Sequence, residues 1–248
     1  MSNDIHEFLR EVLDKLQKID YVKPEELPNI DLYMDQVTTF MDSQLASTKR
    51  HEDDKILTKT MINNYAKNNL LPPPAKKKYS KEHILALLFI YYFKSLLSIS
   101  DIQNILNPIT DKYFGNTDGL SLQDIYNEVF GLEHEEIQHI LKDLAKKYKT
   151  SLKTFEDVPE DEAEPLHKFA FICMLSFDVY IKKMIIEQTI DKLAASSDTT
   201  KKSKRTSSKT MHKEKEETNL PIPFLYVLTV QIPYHIHHFH NLRNGSPC

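Results

Sequence analysis

The stretch from Ile56 to Leu106, ILTKTMINNYAKNNLLPPPAKKKYSKEHILALLFIYYFKSLLSISDIQNIL, decides the fold of this chain. Its pattern predicts a short helix with a polar face that ends at Asn69, then a proline triplet and three consecutive lysines. Two further helices are predicted to open at Ser80 and at Ser100, where Ser100 and Gln103 would form a capping box. The order of elements predicts a helix-turn-helix module with a basic loop.

Local signals support the first helix of this module. Thr58 is predicted to cap it, and its inward positions are predicted to be Met61, Ile62 and Tyr65. Asn69 is predicted to adopt the left-handed conformation, because asparagine tolerates that conformation better than most residues other than glycine.

The composition predicts an all-α protein. Of its 248 residues, 40% are hydrophobic and 27% are charged, while only four are glycine and none is tryptophan, which favours helices around a sizeable core. The N-terminus has no signal-peptide pattern, and the apolar runs at 84–92 and 169–177 are far shorter than the roughly 20 residues of a membrane span. We therefore expect a cytoplasmic protein that does not enter a membrane.

The charge is distributed in blocks. Residues 1–54 have a net charge of −7, and residues 101–193 have a net charge of −8. Between them, residues 55–100 contain eight lysines and one acidic residue, Glu82, and so have a net charge of +7. This basic island coincides with the helix-turn-helix pattern, which points to an anionic partner for that module.

The chain divides into five predicted segments. They are an N-terminal helix and connector (1–29), the helix-turn-helix domain (30–108), a helical C-terminal bundle (120–193), a disordered linker (194–218) and a histidine-rich tail (219–248). Asp31 is predicted to cap the second helix, and a linker is predicted to begin after Pro108. An acidic loop at 156–164 is predicted to precede a long apolar helix at 166–193, buried at the centre of the bundle together with Cys173.

The residues with the most specific chemistry lie in the basic island. A recognition helix needs small polar side chains for base edges and nearby cations for phosphates, because asparagine can pair with adenine and threonine can contact the thymine methyl group. The predicted DNA-binding residues are Lys59, Thr60, Asn63, Asn64, Lys67, Lys76, Lys77 and Lys78.

At these residues the chain resembles the MerR superfamily of winged-helix regulators. The segments MINNYAKNNLLPPP, KKKYSKEHILALLFI and LLSISDIQNIL stand where that family has its recognition helix and turn, its wing and third helix, and its fourth helix. The chain departs from the family where Asn63 replaces an arginine and Asn69 a glycine, and its wing is shorter. Overall it is similar to a domain-of-unknown-function family of MerR-like proteins common in Gram-positive bacteria. The resemblance implies a homodimeric transcriptional regulator that binds double-stranded DNA.

Other chemistry is weakly indicated. The sequence has no phosphate loop, nucleophile elbow or zincin helix, so we expect neither an enzyme nor a cofactor. Four histidines between His235 and His240 could bind a metal ion, but no second element supplies partner ligands, and incidental binding is the better interpretation. The main alternative is a non-enzymatic, all-helical protein-protein interaction module that has lost DNA binding. A metal-responsive protein is a weaker one, and the sequence indicates no effector.

Overall fold

The computed structural model describes residue 7, residues 10–15 and residues 21–207, apart from the side chains of 133–135, 160–161 and 197–207. The chain divides into two units, Met1–Arg205 and Thr206–Cys248, and all but the last two of the described residues lie in the first. The prediction of an all-α protein is confirmed. The histidine-rich tail and residues 208–218 of the predicted linker lie outside the described residues.

Seven α-helices lie within residues 21–207, and residues 10–15 are helical as well. The seven are α1 (Met34–Gln44), α2 (Lys59–Lys67), α3 (Lys81–Phe93), α4 (Ile99–Tyr113), α5 (Leu122–Gly131), α6 (Glu133–Ser151) and α7 (Glu160–Ser207). Two short strands, β1 (Leu32–Tyr33) and β2 (Lys78–Tyr79), pair in antiparallel register. Short 3-10 turns lie at Pro24–Glu26 and Ala46–Thr48.

Helix α3 lies at the centre of the core. Every residue from His83 to Ile90 is buried, so over two turns this helix has no solvent-facing side. Helices α4 and α5 and strand β2 contact it, and side chains of α1 and α2 belong to the same hydrophobic cluster. An almost uninterrupted apolar sequence is typical of a helix enclosed in this way.

Helices α1 and α2 pack against each other at the edge of this core. Val37 and Met41 of α1 and Ile62 of α2 are fully buried, and Tyr65 is 7% exposed. The predicted inward positions of α2 are therefore confirmed for Ile62 and Tyr65, while Met61 is half-buried against the cluster. The burial of one face of α2 fixes the direction in which its other face points.

Several predicted boundaries differ from the structure. Helix α4 begins two residues earlier than predicted, since Ser98 is its N-cap and accepts a hydrogen bond from the Asp101 amide. The predicted linker after Pro108 is wrong, because α4 continues through this proline to Tyr113. The cap of α1 is Tyr33 and not Asp31.

Helix α7 differs most from its prediction. It begins at Glu160, inside the predicted acidic loop, and continues through Ser207, inside the segment predicted to be disordered. It packs on α6 through an edge-to-face contact of Tyr148 with Phe171, and Ile190 joins the core cluster. The prediction of a buried central helix is wrong, however, because much of its apolar surface is exposed.

Candidate nucleic-acid interface

The solvent-facing side of α2 is polar and basic. The hydroxyl of Thr58 accepts a hydrogen bond from the Met61 amide, which confirms Thr58 as the N-cap and starts the helix there. Because Ile62 and Tyr65 face inward, the residues on the opposite side of the helix face outward. The five residues of this exposed face are Lys59, Thr60, Asn63, Asn64 and Lys67.

The chain leaves α2 through a tight left-handed turn. Asn69 has φ 55°, as predicted, and the amides of Leu70 and Leu71 both donate to the Tyr65 carbonyl, at 2.9 and 3.2 Å. Both leucines are 1% exposed, so they anchor the turn in the core. The position and direction of the chain at the start of the proline triplet are therefore fixed by this turn.

The lysine triplet contains a tight reverse turn, and the left-handed conformation of its two tip residues was not predicted from the sequence. Lys76 and Lys77 have φ 51° and 66°, and the Lys78 amide donates to the Ala75 carbonyl at 2.9 Å. Two successive positive φ angles are typical of a type I′ hairpin turn, which normally holds asparagine and glycine. Lys76 and Lys77 are both exposed at its tip.

The polar face of α2 and the lysine turn meet at the first turn of α1. Lys59 forms an ion pair with Asp35, and the Lys78 ammonium lies 5.3 Å from the centre of the Tyr33 ring. Because Tyr33 and Asp35 are two residues apart, the start of α2 and the base of the lysine turn border the same short segment. The two groups of predicted residues therefore lie on neighbouring parts of one surface.

These same contacts reduce the number of available cations. Lys59 is partly neutralised by Asp35, and the stem of Lys78 is half-buried beside Tyr33. Lys67, Lys76 and Lys77 have no ion pair with any residue that the structure describes. We therefore regard these three as the cations with the most freedom to meet an anion.

His83 connects the residues that follow the lysine turn to the hydrophobic core. The Ser80 amide donates to Nδ1 of His83 at 3.0 Å, and the imidazole makes edge-to-face contacts with Tyr79 at 5.5 Å and Phe114 at 4.7 Å. Burial lowers the pKa of His83 below its ordinary value, against smaller opposing effects of the Pro73 carbonyl, Asp31 and the Pro72 carbonyl. The neutral ring thus caps α3 directly below the turn.

The structure adds no support for a metal site or a reactive cysteine among the described residues. Among the described residues, no group of three or more histidine, cysteine or acidic side chains is arranged to hold a metal ion. The histidines of the tail lie outside that part of the chain. Cys173 is exposed on α7, so the prediction that it is buried is wrong. No described helix has both the length and the apolar character needed to cross a bilayer.

The comparisons with known proteins identify one domain. Residues 22–129 match a family described as a domain of unknown function, DUF1836. The match covers the two strands and helices α1 to α4, and all but the last residues of α5. No curated protein and no solved structure matched the chain.

Proposed function

We propose that the protein is a sequence-specific DNA-binding transcriptional regulator with a MerR-like winged helix-turn-helix, acting in the cytoplasm as a homodimer. In this proposal α2 is the recognition helix, and the lysine turn from Ala75 to Lys78 is a short wing. The observation that supports it best is the pair of exposed lysines in left-handed conformation beside the polar face of α2.

The conformation of Lys76 and Lys77 argues for a role in binding. A residue other than glycine in the left-handed region costs about 1 kcal/mol or more. Asparagine and glycine would fit this turn with less strain. Two cations placed where the fold would accept uncharged residues more readily are best explained by an interaction with an anion.

The face of α2 supplies the chemistry for reading bases. Asn63 and Asn64 are exposed amides that can pair with an adenine edge, and Thr60 can contact a thymine methyl group. Lys67, Lys76 and Lys77 would contact phosphates. Three such contacts give a slope of log K against log salt of roughly −3 per protomer.

The homodimer interface is proposed on α7. Nine large apolar side chains of this helix are between 37% and 64% exposed: Phe169, Ile172, Phe177, Val179, Tyr180, Met184, Ile185, Ile186 and Leu193. These side chains are distributed around the helix, and those of Phe169, Phe177, Tyr180 and Met184, at spacings of eight, three and four residues, share one side. A second copy of α7 is the occupant proposed for this side, because burying large aromatic side chains is a main source of interface energy.

The second candidate is a non-enzymatic interaction module whose helix-turn-helix binds protein. Its specific support is the ion pair of Asp35 with Lys59, which places a carboxylate on the surface proposed for DNA. A basic partner protein would tolerate this carboxylate better than DNA would.

The test compares binding and stability in one set of variants. K76N/K77G removes two charges and gives the turn its preferred residues, so we expect equal or higher stability with DNA affinity reduced roughly tenfold or more at about 100 mM salt. N63A/N64A should reduce discrimination between promoter and unrelated duplexes by about 1–3 kcal/mol per lost pair. Asn104, exposed on α4, provides the matched control N104A.

Binding is measured by fluorescence anisotropy with duplexes from the protein's own promoter region, and stability by urea denaturation. Undetectable binding of the native protein to every duplex at about 50 mM salt would refute the proposal, since electrostatic contacts are strongest at low salt. Unchanged DNA affinity of K76N/K77G would remove the lysine turn from the interface.

A further inference from the structure

Helix α6 carries a second basic surface, far along the chain from the first. Four exposed lysines recur at intervals of four, three and four residues; the first three lie on one side of the helix, and the fourth lies two residues beyond the helix end. With Ala145 and Thr150 they line an open groove of about 500 Å³. We call these residues the α6 stripe: Lys142, Lys146, Lys149 and Lys153.

The α6 stripe is not part of a balanced network of ion pairs. The one acidic residue between 137 and 153 is Asp143, and it is paired with Lys147, which also contacts Asp178 of α7. None of the four stripe lysines has an ion pair with a described residue. The five lysines and one aspartate give this segment a net charge of +4, inside a block of residues whose total is −8.

Helix stabilisation does not account for the stripe. Lysine near a helix C-terminus interacts favourably with the helix dipole, but this effect fades within the last turn. Lys142 lies well before the last turn of α6, which ends at Ser151. An unpaired row of like charges is instead a cost to the isolated protein, and an anionic ligand would remove that cost.

The geometry of the stripe fits a phosphate backbone. At 1.5 Å per residue it extends over roughly 16 Å of helix, a length over which one strand of duplex DNA carries about five phosphates. Lysine, as a flexible point charge, suits phosphates without selecting a base. The groove has no aromatic or branched aliphatic side chain to act as an anchor for a protein partner, whereas protein interfaces rely on such anchors.

We infer that the α6 stripe binds the phosphates of duplex DNA, without sequence preference, as a second contact in addition to the α2 face. This inference rests on the proposed function. It adds that the C-terminal half of the chain contributes binding energy of its own and does not act solely as a dimerisation element.

The experiment measures the salt dependence of duplex binding for three proteins. K146Q/K149Q removes two charges from the centre of the stripe and keeps helix propensity. K112Q/K192Q removes two charges from exposed lysines of α4 and α7 and serves as the matched control. Circular dichroism and urea denaturation check that both variants remain folded.

We expect the slope of log K against log salt to become less steep by nearly 2 per protomer in K146Q/K149Q, with affinity at about 100 mM salt reduced roughly tenfold to a hundredfold. The preference for promoter over unrelated duplex should stay as in the native protein, and K112Q/K192Q should bind like it. If the native protein binds and the slope of K146Q/K149Q equals its slope, the stripe does not touch DNA.

The outcome for the stripe can be separated from that for the proposed function. A native protein that binds no duplex refutes both. A protein that loses affinity in K146Q/K149Q but keeps it in K76N/K77G and N63A/N64A would support the stripe and refute the assignment of α2 as recognition helix.

Discussion

Helices α3 and α7 contain similarly apolar runs, at 84–92 and 169–177, and only the first is enclosed. Helix α3 has 13 residues; β2, α4 and α5 contact it, and side chains of α1 and α2 belong to the same hydrophobic cluster. Helix α7 has 48 residues, while its partner α6 has 19. An apolar helix is buried only where enough other elements reach it, so the same sequence signal belongs to a core helix in one place and to an exposed helix in the other.

The two helices are expected to lose different amounts of stability when a large side chain is truncated. Leu88 of α3 is fully buried and Phe177 of α7 is 64% exposed. We expect Leu88→Ala to lower the free energy of unfolding by about 2–5 kcal/mol, because it leaves a cavity in the core. Phe177→Ala should lower it by less than about 1 kcal/mol at low protein concentration. Urea denaturation at dilute concentration measures both.

Equal losses for the two variants would mean that α7 is covered within one chain. Helix α7 would then be as enclosed as α3 and would offer no free apolar surface to a second copy.

The second prediction concerns the association that α7 is proposed to drive. In F177S/Y180S two neighbouring aromatic side chains, each 64% exposed, are replaced by serine. If they lie in a dimer interface, losing them should weaken self-association by about 3 kcal/mol, or at least a hundredfold, since one buried aromatic side chain contributes about 1.5–3 kcal/mol. Sedimentation velocity over a range of concentrations measures the shift from dimer to monomer.

The matched control is I30S/L120S. Ile30 and Leu120 are 68% and 51% exposed outside α7, so their loss removes surface hydrophobicity without touching the proposed interface. If both variants weaken association equally, non-specific hydrophobic contact is the cause. A native protein that is monomeric at every concentration would leave the α7 face without its proposed occupant.

Helix caps and turn conformations could be predicted from the sequence where a single residue type determines the local backbone geometry. The Thr58 cap and the left-handed Asn69 depend on contacts within a few residues, and both are confirmed. The start of α4 was harder, because Ser98 with Asp101 and Ser100 with Gln103 fit the same capping pattern. The aspartate at the third helical position favours the earlier start, since it adds a negative charge at the helix N-terminus.

Features that depend on contacts between distant parts of the chain could not be predicted in this way. Helix α4 continues through Pro108 because Leu106 and Thr110 on either side of it are buried, and the Thr110 hydroxyl donates to the carbonyl of Leu106. The exposure of the polar residues of α2 could be predicted from helical periodicity. The Asp35–Lys59 ion pair could not be predicted, because it joins residues 24 positions apart in the sequence.

The third prediction concerns the one titratable side chain buried in the enclosed helix. His83 is 4% exposed, and burial holds its pKa below the ordinary value of 6.5. The unfolded chain therefore takes up a proton at a higher pH than the folded protein does. Stability from the neutral imidazole is fully present above about pH 6.5 and declines as the pH falls below it, by at most about 1.4 kcal/mol per pH unit.

Two substitutions isolate this effect. In H83Q the glutamine oxygen can still accept the hydrogen bond from the Ser80 amide, so the cap remains while the titrating ring is removed. H51Q removes an exposed imidazole and serves as the control. Urea denaturation between about pH 5 and 7.5 should give a shallower decline for H83Q than for the native protein and for H51Q. Parallel curves for all three proteins would mean that the loss of stability at acid pH has a source other than His83.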